Sequence, residues 1–478
     1  MTYLCMSFLL GIRMVPQGNK VYRMENFSFR SSVKKYVNGS ILLIFATVAA
    51  FIVANLDATS EWYKQAFDQP VSLSVGRFNI FSHDGHPMTV GAFINDFLMA
   101  IFFLSVGLEI KREVLCGELS TVRKAMLPVI GACGGMIVPV IVFFVTNALS
   151  SSNPLAARGM AIPMATDIAF SLGVLSMFSK RVPIGLKVFL AALAVADDLG
   201  GIIVIAIKYT DHLNLDYLRW ALYCVALLVF GNWRRIHVKS FYIPIGCALW
   251  FCMLGSGIHA TIAGVILAFC VPASLRNGTK FYIERIRKCL SNFPVIEVTH
   301  ADRSKPALLT ESQVHQLKSI ESASDRLISP LQDLEDSLKN PINLLIIPLF
   351  AFANAGVNLS GMDLSNLFSG VGLSVLLGLL VGKFVGVFSF SWISIKMGWV
   401  QLPANSTWKS FASVCMLCGI GFTVSMFMAD LSYRPVNELG MLADSKLGIL
   451  CGSIASALIG AFLLNKHLPK DASETVTK

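Results

Sequence analysis

The chain is short of charge. Only 14% of its 478 residues are Asp, Glu, Lys or Arg, against 55% hydrophobic residues that include 33 Phe. A soluble domain of this length needs a polar surface that such a composition cannot supply, which argues against a soluble globular enzyme. With a mean hydropathy of +0.65, the chain reads as an all-α polytopic membrane protein. Disulfide and zinc frameworks are missing too. The 11 cysteines fall at no such spacing, and most lie inside apolar runs, where a thiol behaves as a small hydrophobe. Cys415 and Cys418 have a redox spacing but lack the exposed, electropositive setting that makes a thiol reactive. No cleavable signal is expected, because the apolar stretch Leu4 to Ile12 has no basic segment before it and no small-residue cleavage site after it. The net charge of +10 does not mark a nucleic-acid binder. Its lysines and arginines fall between apolar runs, mostly on alternate sides, as membrane topology requires.

Long apolar runs are plentiful. About twelve are of a length to cross a hydrocarbon core of about 30 Å. They lie near 39–56, 92–111, 125–146, 158–178, 183–207, 217–232, 240–255, 257–273, 339–358, 369–395, 409–430 and 446–465. The two runs around 255–258 nearly merge, and one kinked helix there would make the total odd. Charge decides for twelve: Lys34, Lys35, Arg112, Arg123, Arg181, Arg234, Arg235, the basic 274–338 segment and Lys466 then all fall on one side, and both termini are cytoplasmic. The expected parts are a cytoplasmic extension 1–37, a transmembrane body 38–466 with a cytoplasmic helical loop 274–338, and a tail 467–478. In that loop Thr310 to Gln313 fits a capping box, and Leu317, Ile320, Leu331, Leu334 and Leu338 recur at helical spacing; a solvated linker helix is the preferred reading. On the outer face, Val71 to Val75 alternates, Gly76-Arg77 can turn and Phe78 to Phe81 follows, which predicts a β-hairpin. Its exposed edge could join two copies of the chain or cover its own helices.

Few ionisable groups interrupt the runs, and those few carry the functional signal. Asp197 and Asp198 sit near the middle of 183–207, where a charge costs a few kcal/mol or more, so an ion or proton path is the first expectation. Pro163, followed by Thr166 and Asp167, breaks the fourth run and frees backbone that must be satisfied or line a cavity. Gly419, Gly421 and Thr423 weaken the eleventh run in the same way. Interrupted segments at matching places in two halves of a transporter point to its binding site. Lys383, about fourteen residues into the tenth run, is too deep to snorkel and has Asp197, Asp198 and Asp167 as available partners. Gly378, Gly382 and Gly386, and Gly448, Gly452, Ser456 and Gly460, recur every four residues and should let backbones pack closely. Glu109, Arg112 and Glu113 end the second run and Asp96 begins it; they could form a cation-attracting or pH-sensing mouth, or a plain helix-end salt-bridge cluster. His259, with a reference pKa near 6.5, suits a pH response, and Asn354 can bridge helices.

Taken together, Ala165-Thr166-Asp167-Ile168-Ala169-Phe170, Ala196-Asp197-Asp198-Leu199-Gly200, Gly257-Ile258-His259-Ala260-Thr261, Pro348 to Val357, Gly382-Lys383 and Cys418 to Thr423 resemble the NhaA-type sodium/proton antiporters of bacterial inner membranes, in the family's order and over about residues 38–466. The resemblance implies twelve helices with inverted repeats, two interrupted helices crossing at the midplane, and a homodimer joined by the 71–81 hairpin. It implies that Asp197 and Asp198 bind the transported sodium (or lithium) and protons, with Lys383 close to Asp197. It also implies that Asp167 and Thr166 balance the broken-helix ends, and that Glu109, Arg112 and Glu113 lie near a pH-sensing region. No cofactor and no nucleic acid are expected; the partners are sodium, protons and membrane lipid.

Two other functions fit the pattern less well than antiport. An intramembrane aspartyl protease needs its two aspartates on separate helices, which only Asp167 could offer. A sodium-coupled symporter of an organic anion on a similar broken-helix fold would want an arginine for its solute, and Lys383 fits it less well. Neighbours on a helix point about 100° apart, so Asp197 and Asp198 cannot face one point equally; with Lys383 close to Asp197, as the resemblance implies, direct cation contact is expected of Asp198 and the exchange with Lys383 of Asp197.

Overall fold

The computed structural model describes residues 12–17, 21–26, 39–72, 74–75, 78–79, 82–83, 86–150, 153–178, 181–208, 213–274, 279–291, 293, 310–357 and 370–468. Helices dominate, because a chain in hydrocarbon must satisfy its backbone within each segment. In order they are α1 (Gly39–Asn55), α2 (Asp57–Asp68), α3 (Val90–Cys116) and α4 (Val122–Ser150). A 3-10 segment (Pro154–Met164) leads to α5 (Ile168–Met177), followed by α6 (Ile184–Lys208), α7 (Leu215–Trp233), α8 (Lys239–Ser256) and α9 (Ile262–Cys270). Then come α10 (Thr279–Ser291), α11 (Glu311–Asp325), α12 (330–354), α13 (Gly370–Lys396), α14 (Trp408–Leu417), α15 (Phe422–Tyr433) and α16 (Leu439–His467).

Five of these, α3, α4, α6, α13 and α16, are long and apolar enough to cross a membrane, and eight spans result if each of three bent pairs counts once. The bent pairs are α1 with α2 at 111°, the 3-10 segment with α5 at 45°, and α14 with α15 at 43°. The ambiguous stretch near 255–258 is a true break: α8 ends with Gly257 at φ +83°, a left-handed cap that glycine adopts freely, and α9 starts at Ile262. Three helices widen into π turns, at Ile94–Leu98, Ile342–Ile346 and Gly378–Gly382, a distortion common at functional sites. The first carries Asn95 and Asp96, and the last ends immediately before Lys383.

Two sequence expectations change in detail. The 274–338 segment is not simply a solvated linker. α11 has the expected capping box, but α12 starts earlier than its apolar run, at Pro330 behind the N-cap Ser329, and buries Leu331 and Leu334 in a core shared with α7, α8 and α9. The expected hairpin is present as Ser74–Val75 paired antiparallel with Phe78–Asn79, yet Val71 pairs with Met88 in a second small sheet that also takes in Ser82–His83. The 1–37 extension contains an antiparallel pair, Ile12–Gln17 with Val21–Asn26.

Lipid tails are as apolar as leucine, so close van der Waals fit rather than water expulsion holds such helices together. The glycine stripes supply it. A Cβ at Gly386 would run into the Gly134 carbonyl of α4, one at Gly382 would meet Pro139, and one at Gly378 would meet Pro163. This draws α13 onto α4 and places Lys383 beside α6. Gly448 of α16 does the same against Gly372.

Candidate functional site

The two interrupted segments cross and satisfy each other. The Asp167 N–H donates to the Ile420 carbonyl at 2.7 Å, the Ser171 hydroxyl to the Leu417 carbonyl at 3.2 Å, and the Ser425 hydroxyl to the Ile162 carbonyl at 2.8 Å. The Asp167 carboxylate caps two helix N-termini at once: it accepts from Phe170 N (2.9 Å) in α5, and from Thr423 N (3.2 Å) and Thr423 Oγ1 (2.6 Å) in α15. A helix start carries a partial positive charge, so one carboxylate serves two of them. At the opposite sign, the Cys418 carbonyl beyond the end of α14 faces the Thr166 hydroxyl at 2.9 Å.

Beside this crossing, α6 presents Asp197 and Asp198, 1% and 3% exposed. The Lys383 Nζ, fully buried, lies 2.5 Å from Asp197 Oδ2. The Thr166 hydroxyl is also 2.9 Å from that oxygen. Its single hydrogen can go to Asp197 or to Cys418, but not fully to both. An ionised Asp197 competes for it, whereas a protonated Asp197 can donate to Thr166 and leave the hydroxyl to the carbonyl. The wall on the α4 side is bare backbone: a Cβ at Gly135 would stand 3.5 Å from Lys383 Nζ and 3.6 Å from Asp197 Oδ1. Asp197 Oδ1 and Asp198 Oδ1 are both buried without a hydrogen-bond partner. Such orphaned carboxylate oxygens are expensive and call for a proton or a cation.

The four residues read as possible pH sensors do not form one cluster. Arg112 pairs with Glu113 at 3.2 Å and with Glu335 of α12 at 2.7 Å, while Glu109 makes no ion pair among the described residues. His259 lies toward the other end of α3, with Nε2 3.7 Å from Asp96 Oδ1 and Nδ1 2.7 Å from Thr261 Oγ1. From Asp96 to Glu109 is about 20 Å along the helix. Burial, partly opposed by Arg112, raises the carboxyl pKa of Glu335. Glu335 was missed in the sequence; its signal was its place on the Leu331, Leu334, Leu338 helix. Asp430 and Lys446 were missed as well, because they stand at the ends of apolar runs, where charges are ordinary. Asn354 does bridge helices, donating to Asn95 Oδ1 at 2.7 Å. Cys415 and Cys418 are buried free thiols. No group of three or more His, Cys, Asp or Glu is arranged to hold a metal among the described residues.

Comparison with known proteins accords with this arrangement. The family model described as Na+/H+ antiporter 1 matches residues 30–464. The chain is 48% identical over 455 residues to the Na(+)/H(+) antiporter NhaA of Phocaeicola vulgatus, covering 94% of this chain and 98% of that protein. It is 48% identical over 434 residues to NhaA of Bacteroides fragilis, covering 91% and 96%. With NhaA of Escherichia coli it shares 40% over 431 residues, covering 90% and 96%. The crossed broken helices, the buried aspartate pair with its lysine and this similarity along almost the whole chain lead to one conclusion: the chain belongs to the Na+/H+ antiporter 1 family.

Proposed function

We propose that the chain exports sodium, or lithium, in exchange for protons across the bacterial inner membrane, and that Asp198 is the direct cation ligand while Asp197 exchanges its partner with Lys383. Membership of an antiporter family supports the exchange and leaves the symporter reading without support. The observation that carries the division of labour is the asymmetry of the pair. Asp197 already holds the Lys383 ammonium and the Thr166 hydroxyl through Oδ2, whereas Asp198 makes no ion pair among the described residues. Sodium and lithium are hard ions that prefer oxygen ligands. A buried carboxyl is stabilised by a proton or by a cation, so the two compete for one place.

In this scheme a cation entering between Asp198 and Asp197 displaces the proton of Asp198 and takes Asp197 from Lys383, whose ammonium then gives up the second proton; both protons return when the cation leaves on the other side. Two protons per sodium make the exchange electrogenic, moving one net charge worth about 2.3 kcal/mol per 100 mV. The carboxylate-arginine cluster of Glu109, Arg112, Glu113 and Glu335 then lies at the cytoplasmic mouth and activates transport at alkaline pH. Twelve crossings correspond to α1, α3, α4, the 3-10 segment with α5, α6, α7, α8, α9, α12, α13, α14 with α15, and α16. The triplets around each broken crossing act as inverted repeats. Residues 38–466 make up the transporting body, with both termini and the 274–338 loop in the cytoplasm, and the 71–81 hairpin joins a homodimer.

The test is sodium-induced proton release in everted membrane vesicles loaded with acid and a pH dye. The native chain dequenches the dye on sodium addition without a second solute. Asp198→Asn abolishes the response; release that survives this change overturns the assignment of Asp198.

A further inference from the structure

Four buried side chains that the carboxylate site does not use close a ring at the hairpin end of the bundle. Asp430 of α15 accepts from Asn95 Nδ2 of α3 at 2.6 Å. Asn95 Oδ1 accepts from Asn354 Nδ2 of α12 at 2.7 Å. Asn354 Oδ1 accepts from Lys446 Nζ of α16 at 3.4 Å, and that ammonium lies 4.0 Å from Asp430 Oδ1. Arg434, one turn further along α15, pairs with Asp430 at 3.0 Å. The ring joins four separate helices, and its members are at most 12% exposed. An aspartate and a lysine in such surroundings are costly, so their retention asks for a task.

Their place along α15 indicates the task. The inner end of this helix rests on Asp167 through Thr423, and Asp430 follows seven residues later, about 10 Å along the axis. Between them stands Phe427, 1% exposed, packed against the rings of His259 (5.4 Å), Phe103 (5.7 Å) and Phe350 (6.4 Å). Beyond it a cavity of about 570 Å³, lined by Asn95, Asp96, His259, Asp430 and Arg434 among others, adjoins the strand His86–Thr89. The ring and Phe427 thus lie between this cavity and the crossing.

We infer that Asp430 is a positioning residue for the exchange: through Asn95, Asn354 and Lys446 it holds α15 where it closes the route from the hairpin end to Asp197 and Asp198. This rests on the antiport reading. For the site to open toward the hairpin end, α15 has to leave α3, α12 and α16, and the ring is the polar contact that must part. Asp430→Asn keeps the size of the side chain and its acceptor for Asn95 but removes the charge facing Lys446 and Arg434, so the closed form weakens relative to the open one.

A ligand that binds only one of two forms reports the population of that form. Purified protein in oriented proteoliposomes, with sodium-coupled proton flux measured for sodium added on either side, gives two KM values. In Asp430→Asn the cytoplasmic KM rises about fivefold and the outer KM falls, the lower end of usual coupling between states, and Asp430→Glu moves both back toward the native values. KM values that stay unchanged, or move in the same direction, in protein that elutes as a single folded species overturn the inference, since a merely structural role lowers only the active fraction. Should Asp430→Asn not fold, Lys446→Gln carries the same expectation and the same refutation. A native chain without sodium-coupled flux would overturn the antiport reading, and this inference with it.

Discussion

Removing one member of the Lys383–Asp197 pair should be much worse than removing both. The two side chains are fully buried with 2.5 Å between Nζ and Oδ2. Asp197→Asn or Lys383→Met alone leaves an uncompensated buried charge, which costs about 3–5 kcal/mol, whereas replacing both charges is often near neutral. At roughly 2.1 cal/mol/K per residue, 478 residues give about 1 kcal/mol per degree, so the expected loss is about 3–5 °C in Tm for each single variant. The double variant should return to within about 2 °C of the native protein, a coupling of several kcal/mol between residues in contact. Thermal unfolding of purified protein in detergent, in choline rather than sodium salts so that ligand linkage does not intrude, reads this directly. Losses that add in the double variant would refute the view that the pair is held together by charge, and Lys383 would then be a packing residue. Transport should be absent in the double variant even though its stability is restored.

Three further outcomes follow from the geometry. Thr423→Val removes the 2.6 Å bond to Asp167 but leaves the backbone donor, so it should destabilise by about 1–3 kcal/mol, less than Asp167→Ala, in a side-by-side Tm measurement. Gly386→Ala would press a methyl against the Gly134 carbonyl, while nothing stands within 4 Å of a Cβ at Gly440; the first should lower Tm and proton flux together, and Gly440→Ala should leave both unchanged. The raised pKa of Glu335 means that the folded chain binds its proton more tightly than the unfolded chain does. Its contribution is therefore complete at low pH and is lost as pH rises through the raised value. A Tm-against-pH curve should accordingly fall less steeply in Glu335→Gln than in the native protein as pH rises from the ordinary carboxylate value of 4.5 through the raised one.

The sequence was most legible where one segment decides its own fate. Pro163 and the Gly419–Gly421 pair mark both breaks within a few residues, because backbone interruptions are local events. The glycine stripe at Gly378, Gly382 and Gly386 announced a close helix contact, although the partners Pro163, Pro139 and Gly134 could only be seen in three dimensions. The pairing of Lys383 with Asp197 rather than Asp198 was anticipated through the resemblance, since spacing alone left both open. The ring around Asp430 was not legible. Its members come from four helices, and each taken singly looks like an ordinary polar residue near the end of an apolar run. Helix α2 was also missed: with Glu61, Lys64 and Asp68 beside Trp62 and Phe67, it is amphipathic and too polar for a hydropathy reading to notice. The count of crossings blurred for a related reason, because nine-residue α9 and the bent pairs fall short of a single apolar helix of spanning length.

The double capping by Asp167 bears on how the protein is made. Its carboxylate and the Thr423 donors that complete its shell are 256 residues apart in the chain. When the ribosome has delivered the first broken segment, the carbonyls of one half and the donors of the other are still unmet, and hydrocarbon offers no substitute for either. That segment must wait near water or inside a protein chaperoning environment until residues 408–433 arrive. A nascent chain stopped short of Trp408 should therefore hold its first broken segment loosely and be removed by membrane proteases, while one that extends past Tyr433 locks both at once.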